Sequence, residues 1–411
     1  MEADAGTGPH VRVPVPGPAR TSGAIDRRVV WVMAVATGLS VASNYYAQPL
    51  LPAMEHTLHL APGTAGLVVT VAQVGYALGL AFLLPLGDLV ERRRLVALLS
   101  VGTAGALLWL GLAPSAAVLL PAALVVGALS VLAQVLVPFA ASLAGEHERG
   151  RVVGSVMSGL LVGVLLARTV AGLLAATGTW RVVYLVAAGA MLVQAAVLRS
   201  NLPTWHERPG LSYPALVRSV VRLLAEEPVL RLRAAYGLCS FGTFSALWTS
   251  MAFLLAHHYH YGTAVIGLFG LIGAAGALAA SVAGRLSDRG LSNRSTALTT
   301  LLLVASWALL WDGSSDLALF VVGIVVLDVG AQGLHITNQG EIYRLRPEAR
   351  SRLTAAYMVL YFVGGAIGSV SSAVVYGAVG WSGVCAVGAA FALAAFALWA
   401  FTALRARPRI P

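Results

Sequence analysis

Apolar residues in this chain come in long runs that short polar breaks separate. The runs cover residues 29–51, 64–86, 95–113, 117–143, 152–176 and 182–199, then, after a polar stretch, 229–256, 264–284, 296–311, 317–340, 353–376 and 383–404. A hydrocarbon core of about 30 Å is crossed by roughly 20 helical residues. The pattern therefore predicts an all-α integral membrane protein with twelve transmembrane helices.

Composition points the same way. Of the 411 residues 58% are hydrophobic and 11% charged, against about 25% charged in a soluble domain. A water-soluble fold of this size could not cover its surface, so lipid is the expected solvent. The net charge of +10 is no nucleic-acid footprint, which would cluster on a soluble face with motif support. All 27 basic residues are arginine, which we read as genomic base composition. Cys239 and Cys385 lie inside apolar runs and predict neither a disulfide framework nor a metal site. Residues 1–28 are rich in Pro, Gly and Ala and lack the apolar stretch of a cleavable signal peptide, so a disordered cytoplasmic tail is expected there.

Arginine placement tests the count of spans independently, because loops that stay in the cytoplasm collect positive charge. The leading tail holds Arg12, Arg20, Arg27 and Arg28, the second break Arg92, Arg93 and Arg94, and the fourth Arg149 and Arg151. The central stretch and its flanks carry Arg199, Arg208, Arg218, Arg222, Arg231 and Arg233; the eighth break has Arg285, Arg289 and Arg294. The tenth break has Arg344, Arg346, Arg350 and Arg352, and the trailing tail Arg405, Arg407 and Arg409. Arg181 and the intramembrane Arg168 are the exceptions. Miscounting one helix would scramble this alternation, so twelve spans with both termini in the cytoplasm are expected.

The chain also repeats itself. "GRVVGSVMSGLLVG" from Gly150 lies 201 positions before "SRLTAAYMVLYFVG" from Ser351, which aligns Arg151 with Arg352, Met157 with Met358 and Gly163 with Gly364. The same register pairs Trp180 with Trp381, and "LGDLVERRR" and "LSDRG" place Asp88 and Asp288 200 positions apart. Duplicated halves are common in transporters. We expect two pseudo-symmetric six-helix bundles, residues 29–199 and 229–404, joined by a cytoplasmic loop at 200–228 and followed by a tail at 405–411. The "PALVRSVVRLLAEE" stretch of that loop reads as an amphipathic helix along the membrane surface.

Twelve helices in two parallel halves, with a charged loop after the second helix of each, resemble the major facilitator superfamily over residues 27–404. Its loop pattern runs Gly, x, Leu, x, Asp, x, x, Gly and two basic residues. Leu86, Asp88, Arg92 and Arg93 match it, with Leu84 and Glu91 in place of the glycines; Gly284, Leu286, Asp288 and Arg289 fit the second copy. The fifth run resembles the glycine signature of the drug:proton antiporters, with Gly154, Gly163, Ala167, Arg168, Ala171 and Gly172 at the six places and arginine in the proline position. Small residues at such intervals let helices approach closely, and Gly267, Gly270, Gly273 and Gly276 on the eighth run offer a partner face. "NYYAQPLLP" from Asn44 and "GAQGLHITNQGEIYRLRPEARSRL" from Gly330 look like bacterial efflux permeases. The resemblance implies a monomer in the bacterial cytoplasmic membrane, a small-molecule substrate, proton coupling, and a gate at Asp88, Arg92, Arg93, Asp288 and Arg289. The fourth run lacks the arginine of many antiporters, so their proton relay does not carry over.

A charge near the bilayer centre costs at least about 2.5 kcal/mol, so each one needs a reason. Asp328 lies 11 residues into the tenth run, about 16 Å deep. It is a candidate proton carrier; a permanent pair with Arg168 and direct substrate contact are the alternatives. Arg168 has Asp328, backbone carbonyls or an anionic substrate as possible partners. The tenth run continues with Gln332, His335, Asn338 and Gln339, too polar for a lipid face, and His335 could itself titrate. Helices 1, 4, 7 and 10 line the cavity in the resembled fold. Asn44, Tyr45, Tyr46, Gln48, Gln134, Thr243, Trp248 and Thr249 are therefore cavity candidates, each equally able to form an interhelical hydrogen bond. His257 to His260 read as interface anchors rather than a metal site.

No nucleophile with a base, metal cluster or nucleotide loop of an enzyme is legible, and no cofactor is expected. The expected function is proton-driven export of small amphiphilic compounds by alternating access. A permease for a specific metabolite or organic anion is the alternative, and a non-transporting scaffold a more distant one.

Overall fold

A computed structural model describes residues 25–145, 147–205, 212–274, 276, 282–283, 285–286, 289–346 and 349–406, with the backbone alone at Asp88 and Ala406. Most of the expected leading tail, the middle of the central loop, Gly284, Asp288 and residues 407–411 lie outside the described residues.

The described chain is helical. In order the helices are α1 (Arg27–Ala42), α2 (Leu51–Leu58), α3 (Pro62–Leu78), α4 (Arg92–Gly111), α5 (Ala116–Leu129), α6 (Leu132–Leu143), α7 (Arg149–Ala176) and α8 (Trp180–Asn201). Then follow α9 (Tyr213–Glu226), α10 (Pro228–His257), α11 (Thr263–Leu268), α12 (Ser292–Trp311), α13 (Leu317–Tyr343), α14 (Arg350–Val379) and α15 (Trp381–Ala406). Among the described residues, 10 helical stretches are long and apolar enough to cross a membrane. The other two expected spans are the first, which breaks, and the eighth, which runs from Thr263 into undescribed residues.

Prolines and glycines place the breaks. Between α1 and α2 the chain passes through turns at 43–47 and a tight turn at Gln48–Leu50, where Pro49 and Pro52 withhold the amide protons a continuous helix needs. α3 continues through a wider turn at Gly79–Leu83 and a tighter one at Leu84–Asp88 that contains Pro85. α5 and α6 together make the fourth span, with Pro121 and Pro138 inside.

The duplication seen in sequence recurs in space. A Cβ added at Gly163 would lie 2.5 Å from Gly38 Cα, and one at Gly364, its repeat partner, 2.7 Å from Leu238 Cα. α7 thus lies on α1 as α14 lies on α10, at nearly the same register. Trp180 and Trp381 begin the last helix of each half. Arg181 Nη1 donates to Gly111 O at 2.8 Å, and Trp381 Nε1 to Leu310 O at 2.8 Å, each tying that helix to the end of the third span of its half. In lipid, where burying apolar surface drives little, such close backbones and hydrogen bonds hold helices together.

The halves meet at the end of the bundle poor in arginine. There Gly172 of α7 packs on Gly267 of α11, and Gly66 of α3 on Ala373 of α14. Thr169 Oγ1 donates to Gly267 O at 3.0 Å, Thr70 Oγ1 to Ser369 Oγ at 3.0 Å and Gln73 Nε2 to Ser245 Oγ at 2.8 Å. His257 Nε2 of α10 stands 3.3 Å from Glu55 Oε2 of α2.

α9 has the amphipathic character expected of the central loop. Leu216, Val220 and Leu223 form its buried stripe. Arg346 ties its far end down, 3.4 Å from Glu226 Oε2 and 2.6 Å from Glu227 Oε1. Arg222, hydrogen-bonded to Glu226, holds that carboxyl below the usual carboxylate range.

Candidate functional site

Three uninterrupted helices and the break in the first span bring the two intramembrane charges together. Arg168 lies eight residues from the end of α7, Trp248 nine from the end of α10 and Asp328 eleven from the start of α13. At 1.5 Å per residue all three sit about 12 to 17 Å below the arginine-poor ends. The break places Tyr45 and Gln48 at the same depth.

Arg168 and Asp328 do not form a direct ion pair; Trp248 connects them. The guanidinium carbon lies 3.9 Å from the Trp248 ring centroid, 4.9 Å from that of Tyr45 and 5.9 Å from that of Phe244. Trp248 Nε1 donates to Asp328 Oδ1 at 3.1 Å. The cation belongs to the first half of the chain, and the indole and the carboxylate to the second. A buried cation over an indole face gains about 2 kcal/mol, so the bridge stabilises the closed end without neutralising either charge in a salt bridge. Arg168 Nε donates to Gln48 Oε1 at 2.5 Å, Nη1 approaches Val164 O at 3.5 Å, and Nη2 is buried without a partner. Arg168 and Asp328 are 3% and 2% exposed.

The glycine stripe of the eighth span covers both charges. A Cβ added at Gly270 would lie 2.8 Å from Arg168 Cβ, one at Gly273 3.3 Å from Asp328 Oδ2, and one at Gly276 2.9 Å from Gln332 Cγ. Any side chain on this face would press on the charged pair or on its helical neighbours. The stripe that reads in sequence as a packing face is thus also the lid of the site.

A second polar cluster lies deeper in the second half, toward the arginine-rich end. His335 Nδ1 is 2.9 Å from Tyr357 Oη, and Gln339 Nε2 is 3.2 Å from His335 Nε2. Arg233 Nη1 donates to Thr296 Oγ1 at 3.0 Å and reaches Asn338 Oδ1 at 3.5 Å, while Nη2 is 3.6 Å from Glu341 Oε2. Asn338 Nδ2 is buried without a partner.

The other sequence candidates divide. Gln134 Nε2 donates to Tyr76 Oη at 3.3 Å, and Thr249 Oγ1 to Ser369 Oγ at 3.1 Å. Asn44 is buried with its Oδ1 unpaired. Two candidates turn away from the centre. Tyr46 packs in the core of the first half, and Thr243 accepts from Trp307 Nε1 at 2.6 Å and donates to Gly388 O at 2.9 Å inside the second. The helix that carries Thr243 is apolar nearly all round and gives no sign of which face is central, and Tyr46 lies in turns whose facing has no periodic signal, which is why sequence grouped them with the rest. A Cβ added at Gly154 would meet nothing within 4 Å among the described residues. At the charged loop Arg92 Nε donates to Gly87 O at 3.0 Å and Nη1 to Ser142 Oγ at 3.0 Å within the first half, and Arg93 Nη1 to Leu202 O at 3.3 Å at the start of the central loop. Arg289 is exposed in a turn.

Sequence reasoning passed over Phe244, Tyr357 and Glu55, read His257 only as an interface anchor, and counted Arg233 only as loop charge. Arg233 had a signal: it stands one turn inside the helix that Pro228 starts, and a charge carried past a helix start faces other polar groups.

A fold of two six-helix halves that close around two intramembrane charges bridged by an indole is that of a multi-pass membrane transporter. The Major Facilitator Superfamily profile matches residues 33–311 and 234–411, and the chain belongs to that superfamily. It is 50% identical over 372 residues to the uncharacterized transporter YgaY of Escherichia coli, covering 90% of this chain and 94% of the relative. It is 35% identical to the probable transporter SCO4007 of Streptomyces coelicolor, covering 93% and 89%. Among solved structures, a bacterial homologue of the human lysosomal transporter Spinster in its inward-facing, unoccupied conformation superposes with a TM-score of 0.73 at 14% identity, covering 93% of this chain and 96% of that one.

Proposed function

We propose that this membrane transporter is proton-coupled, carries small amphiphilic molecules by alternating access, and uses Asp328 to take and release the proton. One observation carries the reading: Asp328 is buried where the halves meet, with the Trp248 N–H as its hydrogen-bond donor and, among the described residues, no arginine within salt-bridge distance. A carboxylate locked in a salt bridge would resist protonation; one held by a single neutral donor is free to cycle.

The arginine-rich end, with both termini, lies in the cytoplasm of a bacterial cytoplasmic membrane on this reading. The halves, residues 29–199 and 229–404, rock as a monomer about the Arg168–Trp248–Asp328 bridge. Opening the arginine-poor end separates Arg168 from the indole. Export in exchange for protons follows if substrate and proton compete for the site, and uptake follows if they bind together.

The test uses proteoliposomes holding the wild type or Asp328→Asn under an imposed pH gradient, with a panel of amphiphilic compounds. Asp328→Asn should abolish gradient-driven flux and keep equilibrium exchange. Undiminished gradient-driven flux would remove Asp328 as the carrier.

A further inference from the structure

Arg168 is left unsatisfied in a way that a purely structural cation would not be. Its Nε is taken by Gln48, Nη1 only approaches Val164 O at 3.5 Å, and Nη2 is buried with no partner. A buried donor left unpaired carries its full desolvation penalty. The far end of the guanidinium, Nη1 with its one long bond to Val164 O and Nη2 with none, is a planar fork that matches a carboxylate through two parallel N–H···O bonds. Around it stand the rings of Trp248, Tyr45 and Phe244, which offer flat apolar walls.

We propose that the transported compound is a small organic monoanion, a carboxylate on a flat or apolar body, that seats on the Nη1–Nη2 fork of Arg168 and binds together with the proton on Asp328. This rests on the proton-coupled reading and deepens it. Asp328 and the bound carboxylate would be like charges held on either side of the Trp248 indole. Neutralising Asp328 removes their repulsion, so proton and anion each favour the other's binding by the same factor. A compound that competed with the proton for Asp328 would be a cation, which Arg168 repels. Ligands that bind together cross together, so an inward proton gradient drives uptake, and the permease reading is favoured over the exporter.

The test is binding to the purified full-length protein in detergent, followed by thermal unfolding with benzoate and hexanoate against benzylammonium and hexylammonium. The acids should protect and the amines should not, and acid affinity should be about tenfold tighter at pH 6 than at pH 8, within the usual range of two-site coupling. Asp328→Asn should bind the acids equally at both pH values. Arg168→Gln should lose protection, and Arg168→Lys, which keeps the charge but not the fork, should retain part of it. Amines protecting as well as acids, no protection by either acid, or wild-type affinity in Arg168→Gln would overturn the proposal. Wild-type pH dependence persisting in Asp328→Asn would overturn the shared binding while leaving the carboxylate site. Loss of gradient-driven flux in Asp328→Asn without any preference for acids would sink the anion and spare the proton carrier.

Discussion

Replacing Gly172 by alanine should hold the arginine-poor end open. A Cβ at Gly172 would lie 2.8 Å from Gly267 Cα and closer still to the carbonyl oxygen of Thr263. Carbon atoms rest at about 3.5 to 4.0 Å, so α7 and α11 must part by roughly 1 Å, and both obstacles are backbone that no rotamer change can clear. Overpacking of this kind costs about 1 to 3 kcal/mol. The cost falls on the closed state alone, because Gly172 and Gly267 belong to different halves. At 1.4 kcal/mol per factor of ten, the population with this end open should rise roughly 5- to 150-fold. The assay replaces Cys239 and Cys385, introduces Ser369→Cys as a reporter that is fully buried against Thr70 and Thr249, and measures labelling by an impermeant maleimide. Gly172→Ala should speed labelling within that range. Gly154→Ala, near the other end of α7, whose Cβ meets nothing within 4 Å among the described residues, should not. An unchanged rate in Gly172→Ala would refute the idea that the α7–α11 contact sets this gate.

Other expectations are smaller. Trp248→Leu removes both the ring under Arg168 and the N–H on Asp328, a loss of about 2 to 3 kcal/mol. Its thermal midpoint in detergent should fall below that of Trp248→Phe, which keeps a ring; equal midpoints would deny the cation–π contact its weight. Glu55→Gln breaks the pair with His257, whose side chain is 44% exposed. Exposed pairs contribute about 1 kcal/mol at most, so the Ser369→Cys reporter should quicken less than about fivefold, and a larger change would make this rim pair the main latch. Because Arg222 on the same helix and Arg346 across from it both hold Glu226 below the usual carboxylate range, the share in docking α9 that comes from Arg346 is complete above about pH 4.3 and is lost as pH falls through the lowered value. Cross-linking between α9 and the Arg346 loop should be constant from pH 7 to 5; loss by pH 5 would show that Glu226 does not hold α9.

Much of the architecture was legible because lipid imposes local requirements. A spanning helix must be about 20 apolar residues long wherever it sits, and arginine sorts by side, so runs and loops could be read without knowing any contact. A lone intramembrane charge is equally conspicuous, which is why Asp328 and Arg168 stood out. The glycines at 163 and 172 and the stripe from Gly267 to Gly276 marked close approach, though not which helix would approach.

What only the folded chain decided is who faces whom. α10 buries nearly its whole surface, and its residues Thr243, Trp248 and Thr249 carry no mark in sequence of which points to its own half and which across. Packing turned Thr243 inward and set Trp248 between the two charges. Tyr46 went to the core of the first half while its neighbour Tyr45 went to the guanidinium, because the turns after α1 rotate consecutive side chains to different sides. Sequence by itself determined which residues must leave water, since that cost is paid residue by residue. Tertiary structure decided that Arg168 and Asp328 meet through an indole and not directly, since that depends on the rotation of three helices about their own axes, which hydropathy does not encode.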